Sequence, residues 1–417
     1  MIDPSFAVSL ASAYPTPSYA YDLDEVQKRA TIVLESLPEG GSLFFSLKAN
    51  PLPALGEVIC AKGAKAEVSS EGELGSALAA GFKAGEMLYS GPGKTDEEIE
   101  WALNKGVRKF SCESWNDLGR VATASCREGV KVDVLLRVNP ANASSALLQM
   151  SGVASQFGFE EDDLISKRDR LGALPKNLRL HGLHIYYGTQ IAGQDAFESS
   201  SKSAIDSAER LSEALNVSFS VLDLGGGFAW PFTSDVDGSE MEWLNDVMAT
   251  ISRYRTRTAG ANLWFESGRY LVASSGTLLL KVLDVKASKE GKTFVVLDGG
   301  INVLGGMSGL GRIARVTARF ERMTRRADLD GEEQYDIVGP LCSPLDCLAR
   351  NLVANKLVPG DIVSIPNVGA YGLSASLVGF LSRPLPLEIS YRGRKIINVS
   401  RHSMQSENVP LSNHLEK

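Results

Sequence analysis

Lys48 stands where an apolar run breaks into a Pro-bounded turn, in Phe44-Phe45-Ser46-Leu47-Lys48-Ala49-Asn50-Pro51. A lysine at a strand exit, in a half-buried pocket, loses solvation as an ammonium. Its pKa should fall, which suits an amine nucleophile of the Schiff-base kind. Other reactive types sit at the ends of other strand-like runs. Arg137 closes Leu136-Arg137-Val138-Asn139-Pro140, and His184 and Tyr186 close a run that continues into Tyr187-Gly188-Thr189-Gln190. Gly225-Gly226-Gly227 follows Leu222-Asp223-Leu224, and Glu266 opens Glu266-Ser267-Gly268-Arg269-Tyr270. A triple glycine lets backbone N–H groups approach an anion; with the Gly268-Arg269 turn it would make a phosphate cradle, although a tight turn alone would use the same residues. A carboxylate such as Glu266, facing a heteroaromatic nitrogen, keeps that nitrogen protonated and the ring an electron sink. The same carboxylate could instead pair with Arg137 or Arg269 for structural reasons.

His181 and His184 are three residues apart, which on a regular strand places them on opposite faces. No paired metal site is expected from them. Cys342 and Asp346 lie in Ile337-Val338-Gly339-Pro340-Leu341-Cys342-Ser343-Pro344-Leu345-Asp346-Cys347, a turn-rich loop where the thiol could be a proton donor or a buried structural cysteine. Tyr371, in Asn367-Val368-Gly369-Ala370-Tyr371-Gly372, offers a hydroxyl to a phosphate or a ring to the core.

The elements that must position these groups alternate. Strands are expected near Ser42–Leu47, Ala64–Ser69, Met87–Ser90, Arg108–Cys112, Lys131–Val138, Leu178–Tyr186, Val217–Leu224 and Leu263–Glu266. Helical patterns lie between them. Asp22 with Glu25, Ser70 with Glu73 and Thr95 with Glu98 mark helix starts. Eight strands alternating with helices point to an α/β fold, a closed (β/α)₈ TIM barrel over residues 24–270, with an open doubly wound sheet as the rival. In such a barrel the C-terminal strand ends carry the chemistry, and the residues above fall there. From residue 271 to 400 short β-rich runs predict an all-β barrel domain, to which residues 1–23, through Ser18–Tyr21, would add a strand. Residues 401–417 read as a frayed tail, and Gly305–Gly311 as a flexible loop outside the barrel.

The chain has 417 residues, 44% hydrophobic and 22% charged, as expected for a globular protein with a large core. A net charge of −7 argues against a nucleic-acid backbone as partner. No apolar stretch is long enough to span a bilayer, and the N-terminus lacks the basic head of a secretory signal. Five scattered cysteines read as free thiols, so a reducing, cytoplasmic location is expected. None has zinc-site spacing.

Taken in order, Leu47-Lys48-Ala49-Asn50, Glu71-Gly72-Glu73-Leu74, Arg137-Val138-Asn139-Pro140, Gln156-Phe157-Gly158, Gly225-Gly226-Gly227, Glu266-Ser267-Gly268-Arg269, Asp298-Gly299-Gly300, Gly339-Pro340-Leu341-Cys342 and Gly369-Ala370-Tyr371-Gly372 resemble the fold-type III pyridoxal-phosphate decarboxylases. That group, with an alanine racemase-like barrel, includes the diaminopimelate, ornithine and arginine decarboxylases. The resemblance implies pyridoxal 5'-phosphate as cofactor and Lys48 as the lysine that holds it. It implies Glu266 on the ring nitrogen and Gly226, Gly227, Gly268, Arg269 and Tyr371 around the phosphate. Arg137, His184 and Tyr186 fall on the cofactor side as well, Tyr186 in the ring-stacking position. Glu67 stands where the family usually has an aspartate. Cys342 matches the residue that returns a proton to the decarboxylated carbon, supplied with Asp346 across the interface of a homodimer with shared active sites. Gln156, Ser343 and Asp346 fall on the substrate side.

Departures from the diaminopimelate enzymes bear on the substrate. Ser343 replaces an acidic residue that grips a distal amine. Val303-Leu304-Gly305-Gly306 replaces an arginine-bearing loop for a distal carboxylate, and Leu377-Val378-Gly379-Phe380 replaces Ser-Asn-Tyr-Asn. Without charged clamps little discrimination for free diaminopimelate remains. Tyr-x-Gly-Thr-Gln and Cys-x-Pro-x-Asp-Cys look closer to members in natural-product and siderophore pathways. The expected substrate is therefore a modified or carrier-protein-linked amino acid, such as a glutamyl thioester. Alternatives are a decarboxylase of free diaminopimelate, lysine or ornithine, and an amino-acid racemase, which would need a second base. A single-barrel cofactor-binding protein would lack the β domain, and an inhibitor homologue would be expected to lose Lys48 or Cys342.

Overall fold

The computed structural model describes residues 2–139, 148–149, 156–189, 191, 193–233, 244–254, 257, 260–305, 318–325 and 331–407. Eight parallel strands, Ser42–Ser46, Lys65–Val68, Leu88–Tyr89, Lys109–Cys112, Val132–Asn139, Leu178–His184, Val221–Asp223 and Asn262–Ser267, pair in chain order, and the eighth returns to the first. The sheet closes into a (β/α)₈ barrel, and the open doubly wound alternative is excluded. Each expected strand is present, shortened or shifted at its ends by one to four residues.

Local chemistry explains the alternation. Asp22 accepts the amides of Asp24 and Glu25 at the start of helix Leu23–Ser36. Thr95 and Glu98 form a reciprocal capping box on Asp96–Asn104. At Glu71–Ala79 the Ser70 hydroxyl caps Glu73, but the Glu73 carboxylate reaches back one residue further, to Ser69. Satisfying these orphan amides makes abrupt strand-to-helix turns affordable in a barrel.

Phe44, Leu88, Leu135, Val221 and Trp264 form a buried layer inside the barrel. Burial of each contributes roughly 1.5–3 kcal/mol. The layer plugs the barrel beneath its mouth, so polar side chains one step further along the strands are held above an apolar floor. Near this layer the sixth strand is irregular: its pairing with the fifth skips between Leu180 and Gly182. His181 sits at that irregularity with its ring edge-on to Trp264, 6.0 Å between centroids. A strict two-residue alternation would have turned it away from the face that His184 occupies; the bulge brings it back to the interior layer.

The chain leaves the barrel at Ser267 and enters a β-rich domain at Gly276. The long strand Gly276–Ala287 is its spine, pairing antiparallel with Ser18–Asp22, Thr293–Leu297 and Ile362–Ile365. The N-terminal strand lies between that spine and Leu387–Arg392, so the expected contribution of Ser18–Tyr21 holds. Among the described residues the pairings of this β-rich domain form a nine-stranded sheet that branches at the spine. The longer elements that were not legible include a helix and a strand. Helix Pro4–Ala13 starts with Asp3 as cap and packs Phe6 against Tyr391. Strand Cys347–Asn355 continues out of the Cys342 loop, with Asn351 at positive φ. The tail expected over 401–417 is irregular and exposed to 407; its remainder, and Gly306–Gly311 of the glycine-rich loop, lie outside the described residues.

Candidate active site

A small cavity opens at the C-terminal ends of the barrel strands, lined by Ser46, Lys48, Tyr186, Gly227, Phe228, Glu266, Ser267, Gly268, Arg269 and Tyr371. Lys48 enters it from a single helical turn, Leu47–Ala49, just after the first strand. Its Nζ lies 3.1 Å and 3.3 Å from the two oxygens of Glu67 on the second strand. Glu67 is buried and also accepts the Ser90 hydroxyl. The Lys48 side chain is 45% exposed, but that exposure is to the cavity. Desolvation there pulls its pKa down, and the Glu67 and Glu266 carboxylates more than reverse this, so the net shift is upward. The depressed pKa expected from the sequence is therefore not found: the acidic neighbours that were not counted outweigh burial. For Glu67 burial works upward, and the Lys48 ammonium and serine hydroxyls hold the carboxyl below its usual range.

Glu266, on the eighth strand, is buried, and its Oε1 has no hydrogen-bond partner among the described residues. Arg137 is not its partner: that guanidinium bonds Glu113 Oε1 at 2.8 Å and lies over the Phe157 ring. Arg269 stacks its guanidinium 4.7 Å from the centre of the Tyr371 ring, and its Nε has no partner among the described residues. Burial pushes the Glu266 pKa well up, with Glu67 and Asp223 adding to it. Asp223, ending the seventh strand, is raised by burial to about 7. Burial and their closeness to one another thus favour the protonated form of both carboxyls. His184 completes the group, its Nδ1 2.9 Å from Ser111 Oγ and its Nε2 3.7 Å from Glu266 Oε1. Burial, with Arg137 and Lys48 nearby, keeps its pKa far below the ordinary value, so the ring is neutral. His184, Asp223 and Glu266 have ligand atoms within 4.8 Å of one another. The positive charges of Lys48 and Arg137, which reach Glu266, disfavour a metal ion there.

The glycines act by close packing. A Cβ on Gly226 would collide with the Glu266 carbonyl, one on Gly227 with that of Gly188, and one on Gly268 with Ala49 and Ser46. Gly225, at φ +64°, receives the Tyr186 ring where its own side chain would be. Gly227 and Gly268 reach the cavity wall, whereas Gly226 lies behind it. Tyr186 lines the cavity from the loop beyond the sixth strand; His184 sits behind Glu266. Tyr371, at φ +55°, is tied by its amide to Ala49 O at 2.8 Å, so the β-rich domain closes one wall beside Lys48.

The remaining expected residues are placed elsewhere. Gln156 is exposed, and neither it nor Cys342, Ser343 or Asp346 lines this cavity. Cys342 is exposed on its loop. Asp346 is buried, and its two oxygens accept the amides of Ile301 and Leu341, each at 2.8 Å. Its carboxylate shapes the loop that carries Cys342 and is not open to a substrate. Ser343 Oγ accepts the amide of Leu345. Sequence reasoning passed over Asp223, Glu113 and Ser111. The first stands two residues before the glycine run and carried a signal; the other two are strand-exit residues of ordinary type.

The model of the pyridoxal-dependent decarboxylases, pyridoxal binding domain, matches residues 23–273. The chain belongs to this family. It is 33% identical over 399 residues to the L-glutamyl-[BtrI acyl-carrier protein] decarboxylase of Niallia circulans, covering 94% of this chain and 92% of that one. It is 31% identical to the diaminopimelate decarboxylase of Zymomonas mobilis, covering 93% and 90%. The crystal structure of diaminopimelate decarboxylase from Helicobacter pylori complexed with L-lysine matches with a TM-score of 0.82 at 26% identity, over 95% and 96% of the two chains. This decarboxylase is a carboxy-lyase whose cofactor is pyridoxal phosphate. The cavity fits that group: an amine, an unpartnered buried carboxyl, an unpartnered arginine Nε and two glycines surround one space. Among the described residues no helix is long and apolar enough to cross a membrane.

Proposed function

We propose that this decarboxylase acts on a modified or carrier-protein-linked α-amino acid, with a γ-linked glutamyl thioester as the model substrate. The observation that carries the reading is the turn after Asp298-Gly299-Gly300. Val303 and Leu304 are buried there, and Val303 O accepts the Tyr19 hydroxyl. These positions face the core and offer no charge to a distal carboxylate. Ser343, where an acid would hold a distal amine, is engaged with its own loop. The similarity to the glutamyl-carrier-protein enzyme points the same way.

In this reading Lys48 holds the coenzyme, Glu266 the proton at its ring nitrogen, and Gly227, Gly268, Arg269 and Tyr371 its phosphate. When bound, the coenzyme supplies the electron sink for loss of carbon dioxide. Tyr186 packs one side of the cavity. Cys342 returns a proton to the substrate carbon from the partner subunit of a homodimer. Its exposure in the single chain supports that assignment. So do the large apolar side chains beside its loop: Leu345 is 77% exposed, and Leu377, Phe380 and Leu381 are exposed too. Arg383 bonds Pro340 O, which ties their segment to the loop.

The test is carbon dioxide release from glutamyl-carrier protein against free diaminopimelate, lysine and ornithine. A preference of about 100-fold or more in kcat/KM for the tethered substrate is expected from the missing charge-assisted clamps. Efficient turnover of free diaminopimelate would overturn the proposal.

A further inference from the structure

We infer that Lys94, which does not touch the cavity, is a positioning residue that sets both His184 and Arg137. It stands in the turn after the third strand, in Gly91-Pro92-Gly93-Lys94, and its side chain is 1% exposed. An ammonium has three protons to place. Here they meet Gly91 O, Ser111 O at 2.9 Å and Asp117 Oδ2 at 2.9 Å. Asp117, equally buried, accepts the amide of Glu113 through the same Oδ2 at 3.0 Å. The pair thus grips the exit of the fourth strand on both sides of Cys112.

The two gripped residues each direct one group of the site. Ser111 carries the hydroxyl that meets His184 Nδ1, and His184 Nε2 faces Glu266. Glu113 carries the carboxylate that bonds Arg137, while its other oxygen accepts the Gly158 amide at 3.3 Å. One buried cation therefore fixes two side chains that bear on Glu266, His184 by its orientation and Arg137 by its charge. A buried ion pair is poor value as stabilisation, since an apolar pair of similar volume serves as well or better. Its worth here lies in where it holds Ser111 and Glu113.

The distinction can be measured without any substrate, and so independently of the substrate reading. Lys94→Met leaves the buried Asp117 charge to the more distant Arg120 guanidinium, 3.7 Å away, whereas Lys94→Met with Asp117→Leu removes that charge as well. The readouts are the melting temperature of the coenzyme-free protein, the dissociation constant for added pyridoxal phosphate, and the position of the bound coenzyme's absorption band. Lys94→Met is expected to lower the melting temperature and weaken coenzyme binding by 10-fold or more, with a displaced band. The double variant is expected to recover the melting temperature and not the affinity. Wild-type affinity and an unshifted band in the double variant would make Lys94 a structural residue only. If neither variant folds, Ser111→Ala reads the same arm: several-fold weaker coenzyme binding supports the inference, and unchanged binding with an unchanged band overturns it.

Discussion

The barrel mouth and the Cys342 loop are built on opposite plans. At the mouth, Lys48, Glu67, Glu266, Asp223 and His184 come from five different strand exits, and several of their polar atoms are buried without partners. In the loop, Asp346 is buried with both oxygens taken by backbone amides, while Cys342 stands exposed. Unspent hydrogen-bonding capacity inside a cavity marks a place for a ligand. A saturated carboxylate under an exposed thiol marks a rigid presentation device. Under the proposed function, the mouth is where the coenzyme binds and the exposed thiol is offered to a partner's site.

The sharpest way to break this comparison is at the mouth. Lys48→Ala removes the amine and strands Glu67, whose low pKa depends on it. Activity should fall at least about 10³-fold, as for loss of a nucleophile, and the absorption band of covalently held coenzyme should vanish. Retention of that band would place the attachment elsewhere.

In the loop, Cys342→Ala should lower turnover by about 10²–10⁴-fold, the usual size of a proton-transfer contribution, with no change in melting temperature. Mixing this variant with Lys48→Ala protein sharpens the point. If each site takes its thiol from the partner subunit, mixed dimers contain one intact site and recover part of the activity. No recovery, with subunit exchange verified, would put both groups in one chain. Asp346→Ala should act in the reverse sense. It orphans the buried Leu341 amide and the partly buried Ile301 amide at a cost of up to about 1–3 kcal/mol each, so the protein melts earlier, and coenzyme affinity at the mouth stays unchanged.

How much of this was legible follows the same division. The barrel could be read because hydrophobic runs and caps are local signals, and because reactive residues fell at strand ends. The bulge at His181 could not: it depends on register with the fifth strand, which no local pattern encodes. The sign of the Lys48 shift was also hidden, because Glu67 and Glu266 are neighbours only after closure of the sheet. Strand Cys347–Asn355 was obscured by Arg350 and Asn351, residues that suit a turn; Asp336 accepts the Asn351 amide and holds that irregular point in the ladder. The roles of Lys94 and Asp117 needed contacts across three strand exits.

The smallest expected effect tests the mouth's unspent capacity directly. Asp223 has its folded pKa raised by burial to about 7, from 3.8. A raised carboxyl pKa means that the folded state binds more protons than the unfolded state between these values. Stability of the coenzyme-free protein therefore falls as pH rises through that window, by at most about 4 kcal/mol for this group. Asp223→Asn keeps an oxygen for the Gly225 amide, which Oδ1 now accepts at 2.9 Å, and cannot ionise. Relative to wild type, the variant's melting temperature should gain progressively from pH 4 to about 7 and then hold level. Coenzyme bound opposite Glu266 offers the acidic pair a positive partner, so saturating coenzyme should shrink that gain. A gain independent of pH, or one that coenzyme leaves untouched, would show that the buried acids at the mouth are not held in readiness for the cofactor.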